Sequence, residues 1–206
     1  EQPPQFHPEG DVFVHTRLML TLLKEDPSLS LVLSVLLHDI GKPATFSYDE
    51  EADRIRFNGH DKIGSGMATT ILRRLKYPNK IIEEVTEMVD NHMTFKDVQK
   101  MREAKLKRFM ARSTFEDETE LHRVDCLGSW GGLDNYDFLN QKRADFDNEP
   151  IIPPPLLTGN DLIEIGWNPG PELGKILTKV QDLQLEGSLS TKVEALDWVN
   201  SNHPTS

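Results

Sequence analysis

The stretch Leu29–Leu37 is apolar apart from two serines, and it runs directly into His38-Asp39-Ile40-Gly41. A helix this apolar has almost no polar face to offer water, so it must lie in the middle of a helical bundle. Its end then carries an acid toward the core, and no Lys or Arg precedes that acid within the helix. An ionised carboxylate in such a place is costly unless a cation neutralises it. The stretch is also far short of the ~20 apolar residues that span a bilayer, and no signal peptide precedes it, so no membrane partner is expected.

Apolar periodicity is helical almost throughout, which predicts an all-α fold; only residues 54–58 leave room for a strand. Asp11 is suited to cap a first helix reaching about Lys24, with Val14, Leu18 and Leu22 on one stripe and His15 beside it. Pro27 opens the second helix, and Gly41 is expected to close it in a left-handed conformation. A polar loop through Asp49, Glu50 and Glu51 leads to a third helix after Gly59-His60. In the fourth, begun by Pro78, residues Ile81, Val85, Met88 and His92 recur at helical spacing, which turns His92 inward. Ser113 and Glu116 have the pattern of a capping box before a helix on which Leu121, Val124 and Asp125 share a face. A further helix is expected over residues 136–146. Pro150, Pro153, Pro154 and Pro155 then form a stiff connection, which places a domain boundary between residues 1–149 and a helical segment over 150–206. In that segment Pro169-Gly170-Pro171 turns the chain into its longest helix.

Lys and Arg number 23 against 34 Asp and Glu, a net charge of −11, so the surface as a whole repels nucleic acid and any RNA contact must be local. Residues 96–112 are the place for one: seven basic residues and two acids give +5 there and leave −16 elsewhere. Such a run reads either as a local RNA-binding patch or as a solvated helix face. The single cysteine, Cys126, excludes an internal disulfide and a Cys-rich zinc module, and fits the reducing cytoplasm. The chain starts at Glu1 and not at Met, as a fragment or a processed product does.

Six residues with metal-ligating chemistry fall on inward faces or at helix ends: His15, His38, Asp39, His60, His92 and Asp125. Imidazole and carboxylate without thiolate suit Mn, Fe, Co, Ni or Zn, or Mg where carboxylates and water dominate. Singly, each has a plainer reading. His15 and His92 read as hydrogen-bonded core residues, His60 as a helix cap, and Asp125 as a partner of Arg123. Together they would need many separate buried partners, whereas one metal centre satisfies them all. Asp39 offers two oxygens and can bridge two ions, an arrangement suited to phosphate-ester hydrolysis. Lys42 either reaches a substrate phosphate or offsets the helix dipole. Asp61 either orients a water or serves as a first-turn acid, and Arg17, one turn from the site, is a candidate substrate contact. His122 reads as structural and Cys126 as a small buried hydrophobe.

His15, His38-Asp39 and Asp125 in this order resemble the H…HD…D signature of the HD superfamily of metal-dependent phosphohydrolases. His60 and His92 stand where its dinuclear members have two extra histidines. The segments His7-Pro8-Glu9-Gly10-Asp11-Val12, Val14-His15-Thr16, Leu37-His38-Asp39-Ile40-Gly41-Lys42-Pro43, Gly59-His60-Asp61 and Leu121-His122-Arg123-Val124-Asp125-Cys126-Leu127 are similar to the HD region of bacterial tRNA nucleotidyltransferases, the CCA-adding enzymes and their poly(A) polymerase relatives. Gly159-Asn160-Asp161-Leu162, Gly166, Pro169-Gly170-Pro171 and Gln184-Leu185-Glu186-Gly187 resemble that family's C-terminal segment, so the resemblance covers essentially the whole chain. Missing is the catalytic head with its Gly-rich strand turn and paired aspartates. Trp130-Gly131-Gly132 followed by Asp145-Phe146-Asp147 imitates that head, but the stretch reads as loop and helix where the chemistry needs a strand.

The resemblance implies an HD-domain helical bundle with a small C-terminal helical extension. It also implies one or two divalent ions (Ni, Mn, Co, Fe or Mg), with His15, His38, Asp39 and Asp125 on one ion and Asp39 bridging to a second held by His60 and His92. Catalysis then falls to Asp39, Lys42 and Asp61, with Lys42 and Arg17 contacting substrate. The implied activity is that of a phosphatase, 2′-nucleotidase or 2′,3′-cyclic phosphodiesterase acting on nucleotides or RNA 3′ ends. Two other readings stay open: a noncatalytic tRNA-positioning module of a nucleotidyltransferase, with a structural metal, and an HD hydrolase of nucleoside triphosphates or alarmones.

Overall fold

The computed structural model describes residues 10–129, 131–146 and 150–203. The fold is all-α: ten α-helices accompany one two-stranded antiparallel hairpin among the described residues. None of these helices is long and apolar enough to cross a membrane. The chain divides into two compact units, one running to Gln99 and resuming over Ser113–Lys142, the other made of Lys100–Arg112 and the chain from Arg143 on.

In the first unit, α1 (Val12–Leu22) starts where Asp11 accepts from Val14 N at 2.9 Å. The second helix, α2 (Leu29–Leu37), is capped by Ser28, so Pro27 stands before the cap and not in the first turn. Its burial is one-sided. Ser30, Leu31, Ser34 and Val35 are buried, while Leu29 and Leu36 are about half exposed, so the expectation of burial all round does not hold. The serines explain which side wins: Ser30 donates to Glu84 at 2.6 Å and Ser34 back to the Ser30 carbonyl. Those bonds let α2 pack its small-residue face on the helix over Asn79–Asn91, which carries Glu84.

Gly41 is not left-handed; its backbone is right-handed helical. Its role is close approach, since a Cβ there would collide with the His60 carbonyl and come within 2.7 Å of Gly64 N. A 3-10 turn (Lys42–Thr45) leads to β1 (Ser47–Asp49) and β2 (Arg54–Arg56), then to α3 (His60–Arg74) and α4 (Asn79–Asn91), with Pro78 as the N-cap residue of α4. A 3-10 stretch (His92–Lys100) follows, and α5 (Glu103–Met110) separates it from α6 (Phe115–Gly128) and α7 (Asp134–Asp145). Ser113 does not cap α6: Thr114 occupies that place with helical backbone and bonds instead to Glu118 at 2.8 Å.

One core cluster of this unit joins Met19, Leu31, Val35, Met88, Leu121 and Val124. Each of four stripes in it reaches a polar residue four positions away, back from Met19 to His15 and onward from Val35 to Asp39, Met88 to His92 and Leu121 to Asp125. Helical geometry puts residues four apart on one face, so the core itself aims these side chains at one place.

The second unit holds α5, α8 (Gly159–Glu164), α9 (Pro171–Leu185) and α10 (Lys192–Asn202). Its core is Leu157, Leu162, Leu173, Ile176, Val180, Leu189, Ala195 and Val199. Capping boxes at Thr158/Asp161 and Thr191/Glu194 start two helices, and Pro171 starts the third. Gln184 holds the proline-rich stretch against α9, donating to the Pro154 carbonyl at 2.8 Å and accepting from Leu156 N at 3.2 Å. Lys107 donates to the Leu185 carbonyl and Arg108 pairs with Asp182, which removes both from the basic run; Arg102 and Lys105 stay exposed.

Candidate metal centre

Four imidazoles and two carboxylates meet where these stripes end. Each ring sets Nδ1 against a backbone carbonyl: His15 on Gly128 at 3.3 Å, His38 on Val35 at 3.0 Å, His60 on Phe57 at 2.7 Å and His92 on Val89 at 2.6 Å. A carbonyl only accepts, so Nδ1 carries the hydrogen and the neutral ring is left with a lone pair on Nε2. Gly128 makes the first of these contacts feasible, because any side chain there would crowd His15 and Met19.

All four Nε2 atoms turn toward the carboxylates. That of His15 lies 3.0 Å from Asp125 Oδ1, that of His38 3.1 Å from Asp39 Oδ2, and those of His60 and His92 lie 3.4 and 4.0 Å from Asp39 Oδ1. His60 and His92 also face one another, Nε2 to Nε2, at 3.0 Å. His38 Nε2 and Asp39 Oδ2 are buried without an aligned hydrogen-bond partner. Lone pairs crowded together in this way repel unless a proton or a cation sits among them. A ring that donates Nδ1–H to a carbonyl while presenting Nε2 inward has the posture of a metal ligand. Two triads can hold an ion, His15/His38/Asp39 and Asp39/His60/His92, each with its ligand atoms within 4.8 Å of one another. They share Asp39, which shows Oδ2 to His38 and Oδ1 to His60 and His92. The donor set therefore fits divalent cations.

The electrostatics agree. Burial opposes ionisation of Asp39, but the His38 charge and Lys42 outweigh it and hold its carboxyl well below the usual carboxylate range. For Asp125 burial is likewise overcome, by the His15 hydrogen bond and the His38 charge, and its carboxyl is also held low. Burial disfavours a charged His38, yet the adjoining Asp39 carboxylate raises its pKa, so at this ring a proton competes with a metal cation for Nε2. At His92 burial prevails, helped by the His38 charge, and the pKa falls to about 4. His92 is thus neutral at pH 7, with its Nε2 lone pair free for a cation.

The fold brings His15, His38, Asp39, His60, His92 and Asp125 together. Asp125 lies outside the two tight triads but contacts His15, and the alternative Asp125–Arg123 pair does not form, since Arg123 bonds Glu120 at 2.6 and 2.8 Å. Asp39 does have a counter-cation, supplied from beyond the helix: Lys42 is buried with Nζ 2.6 Å from Asp39 Oδ2. Asp61 lines the cavity over the centre. Arg17 does not reach it. Two residues past His15, it projects about 200° round α1, is exposed and takes no part in the cavity wall. His122 stacks on Phe95 at 4.7 Å, a structural contact. Of the head-like imitation, Gly131 and Gly132 lie in irregular chain and Asp145 in α7, while Trp130 and Asp147 fall outside the described residues, as do His7, Pro8 and Glu9.

The cavity measures about 710 Å³ and is lined by residues that the sequence reading did not select, notably Arg54, Phe57 and Met93. A signal for Arg54 was present in the alternation Arg54-Ile55-Arg56, which places two cations on one face of a strand.

Residues 62–199 match the family model described as tRNA nucleotidyltransferase domain 2. The chain belongs to this family. The A-adding tRNA nucleotidyltransferase of Deinococcus radiodurans is 31% identical over 202 residues, covering 92% of this chain and 46% of that protein. The CC-adding tRNA nucleotidyltransferase of Thermus thermophilus is 33% identical over 187 residues, 86% of this chain and 41% of its own length. A Multifunctional CCA protein from Methylococcus capsulatus is 26% identical over 187 residues, covering 87% and 42%. The chain thus spans less than half the length of these tRNA nucleotidyltransferase relatives. No solved structure gives a significant match.

Proposed function

We propose that this chain is the tRNA-handling body of a nucleotidyltransferase, and that its metal centre hydrolyses phosphate esters of nucleotides or RNA 3′ ends. The two halves rest on different grounds. The relatives support the first: their names speak of A-adding and CC-adding enzymes and not of hydrolysis, so positioning of tRNA has the stronger backing from comparison. Arg102 and Lys105, exposed cations of the basic run together with Lys96 and Lys100, are its candidate RNA contacts. The second half is carried by one observation, that the two oxygens of Asp39 each face a separate set of imidazole lone pairs.

In this reading His15, His38, Asp39 and Asp125 hold one ion, and Asp39, His60 and His92 a second. Bound divalent ions supply a water nucleophile at neutral pH and neutralise charge on phosphate oxygens. Lys42, at the cavity wall, pairs with Asp39 and keeps that carboxylate in its ionised, cation-binding form. Asp61 orients the attacking water. The water oxygen ends on phosphorus, the P–O ester bond breaks, and the departing hydroxyl leaves with a proton.

The test is phosphate release from a 2′-nucleotide and ring opening of a 2′,3′-cyclic nucleotide, each with and without added Mn or Ni. Metal should stimulate both, and Asp125→Ala should lower turnover by more than about a hundredfold, beyond the ~10–100-fold that a ligand's supporting partners are worth. A folded, metal-loaded chain that binds tRNA but releases no phosphate would leave the positioning role with a structural metal and remove the hydrolase.

A further inference from the structure

The cavity over the metal centre carries cations that its carboxylates leave unpaired. Arg54 and Arg56 share a face of β2, and Asp49 of β1 stands opposite Arg54 in the hairpin register. Asp49 nevertheless uses both oxygens elsewhere: Oδ1 accepts from Ala52 N at 3.0 Å, and Oδ2 takes Arg56 Nε at 2.5 Å. Arg54 is left with Nε buried and without a hydrogen-bond partner, and it lines the same cavity as Asp39 and His60. Lys96, exposed on the 3-10 stretch, lines that cavity too. Lys42, by contrast, is committed to Asp39.

A donor withdrawn from water without a partner is unfavourable in the free protein, and a bound anion relieves it. The guanidinium fork suits phosphate oxygens in particular. The cavity thus offers anionic oxygen two places, the metal centre and the Arg54/Lys96 side. Its volume of about 710 Å³ lies within the ~300–1,000 Å³ of ligand pockets, with Phe57 and Met93 as apolar lining.

We propose that Arg54 and Lys96 form a second phosphate subsite, so that the site selects substrates carrying a further phosphate beside the one hydrolysed. This rests on the hydrolase reading above. The second phosphate has two sources, the phosphodiester next to an RNA terminal nucleotide or the additional phosphates of a nucleoside polyphosphate. A nucleoside monophosphate cannot fill both places.

The experiment compares adenosine 2′-monophosphate, a dinucleotide ending in a 2′-phosphate, and adenosine triphosphate, using the Mn-loaded chain and its Arg54→Gln and Lys96→Gln variants. The wild type should favour one of the two substrates that carry a further phosphate, through a lower KM. Arg54→Gln should shrink that preference by about tenfold or more, in KM and not in kcat. Lys96→Gln, an exposed change that cannot unfold the chain, should shrink it by less. Calorimetric binding of the dinucleotide to the metal-free chain should weaken in the same order, and which substrate loses its preference identifies the source. If no substrate is hydrolysed but binding still depends on Arg54, the hydrolase reading fails and the subsite stands. If hydrolysis proceeds and neither variant alters the preference or the binding, the subsite is overturned.

Discussion

The two units fill their interiors by different means. In the C-terminal unit the core residues are all apolar, from Leu157 to Val199, and the polar groups that matter sit at helix ends, as Thr158 and Thr191 do. In the other unit the apolar stripes run on into His15, Asp39, His92 and Asp125, and His38, Lys42 and His60 are buried beside them. Packing alone accounts for the first interior. It does not account for the second, where buried lone pairs face each other across 3.0 Å between His60 and His92. A cation shared among these groups would account for it.

This contrast can be broken by substitution. Leu162→Ala, at a fully buried site of the apolar core, should cost about 2–5 kcal/mol in denaturant unfolding, with bound metal unchanged. A loss of metal in that variant would mean that the two interiors are not independent. Gly41→Ala should have a smaller effect on stability, about 1–3 kcal/mol of overpacking, because its Cβ would meet the His60 carbonyl and Gly64. Unlike Leu162→Ala it should lower metal retention as well, since His60 has to move. Wild-type metal content in Gly41→Ala would show that the backbone at His60 does not position the ligand.

Much of the candidate centre was legible in the sequence, because its His and Asp residues ride on the same periodicity as the core. His92 follows from the Val85 and Met88 stripe, and Asp125 from Leu121. Arg17 was misjudged by chain proximity: being close to His15 in sequence placed it on the opposite side of α1. The counter-cation of Asp39 is hidden from its own helix, because Lys42 lies three residues beyond Asp39. Gly41 was assigned a turn conformation, yet what requires glycine there is the nearness of α3, a tertiary fact that local sequence does not carry. The cap of α6 failed for a similar reason, since Thr114 bonds Glu118 and leaves Ser113 outside the helix.

If the facing lone pairs hold cations, elemental analysis will find them. Chain equilibrated with Mn or Ni and then dialysed should retain about two ions, one for each triad that shares Asp39. His60→Ala and His92→Ala should each bring that figure toward one, and Asp39→Ala, which removes the shared ligand, should bring it lower still. Wild-type chain that is folded yet retains no ion, or an Asp39→Ala variant that retains as much as wild type, would contradict the account.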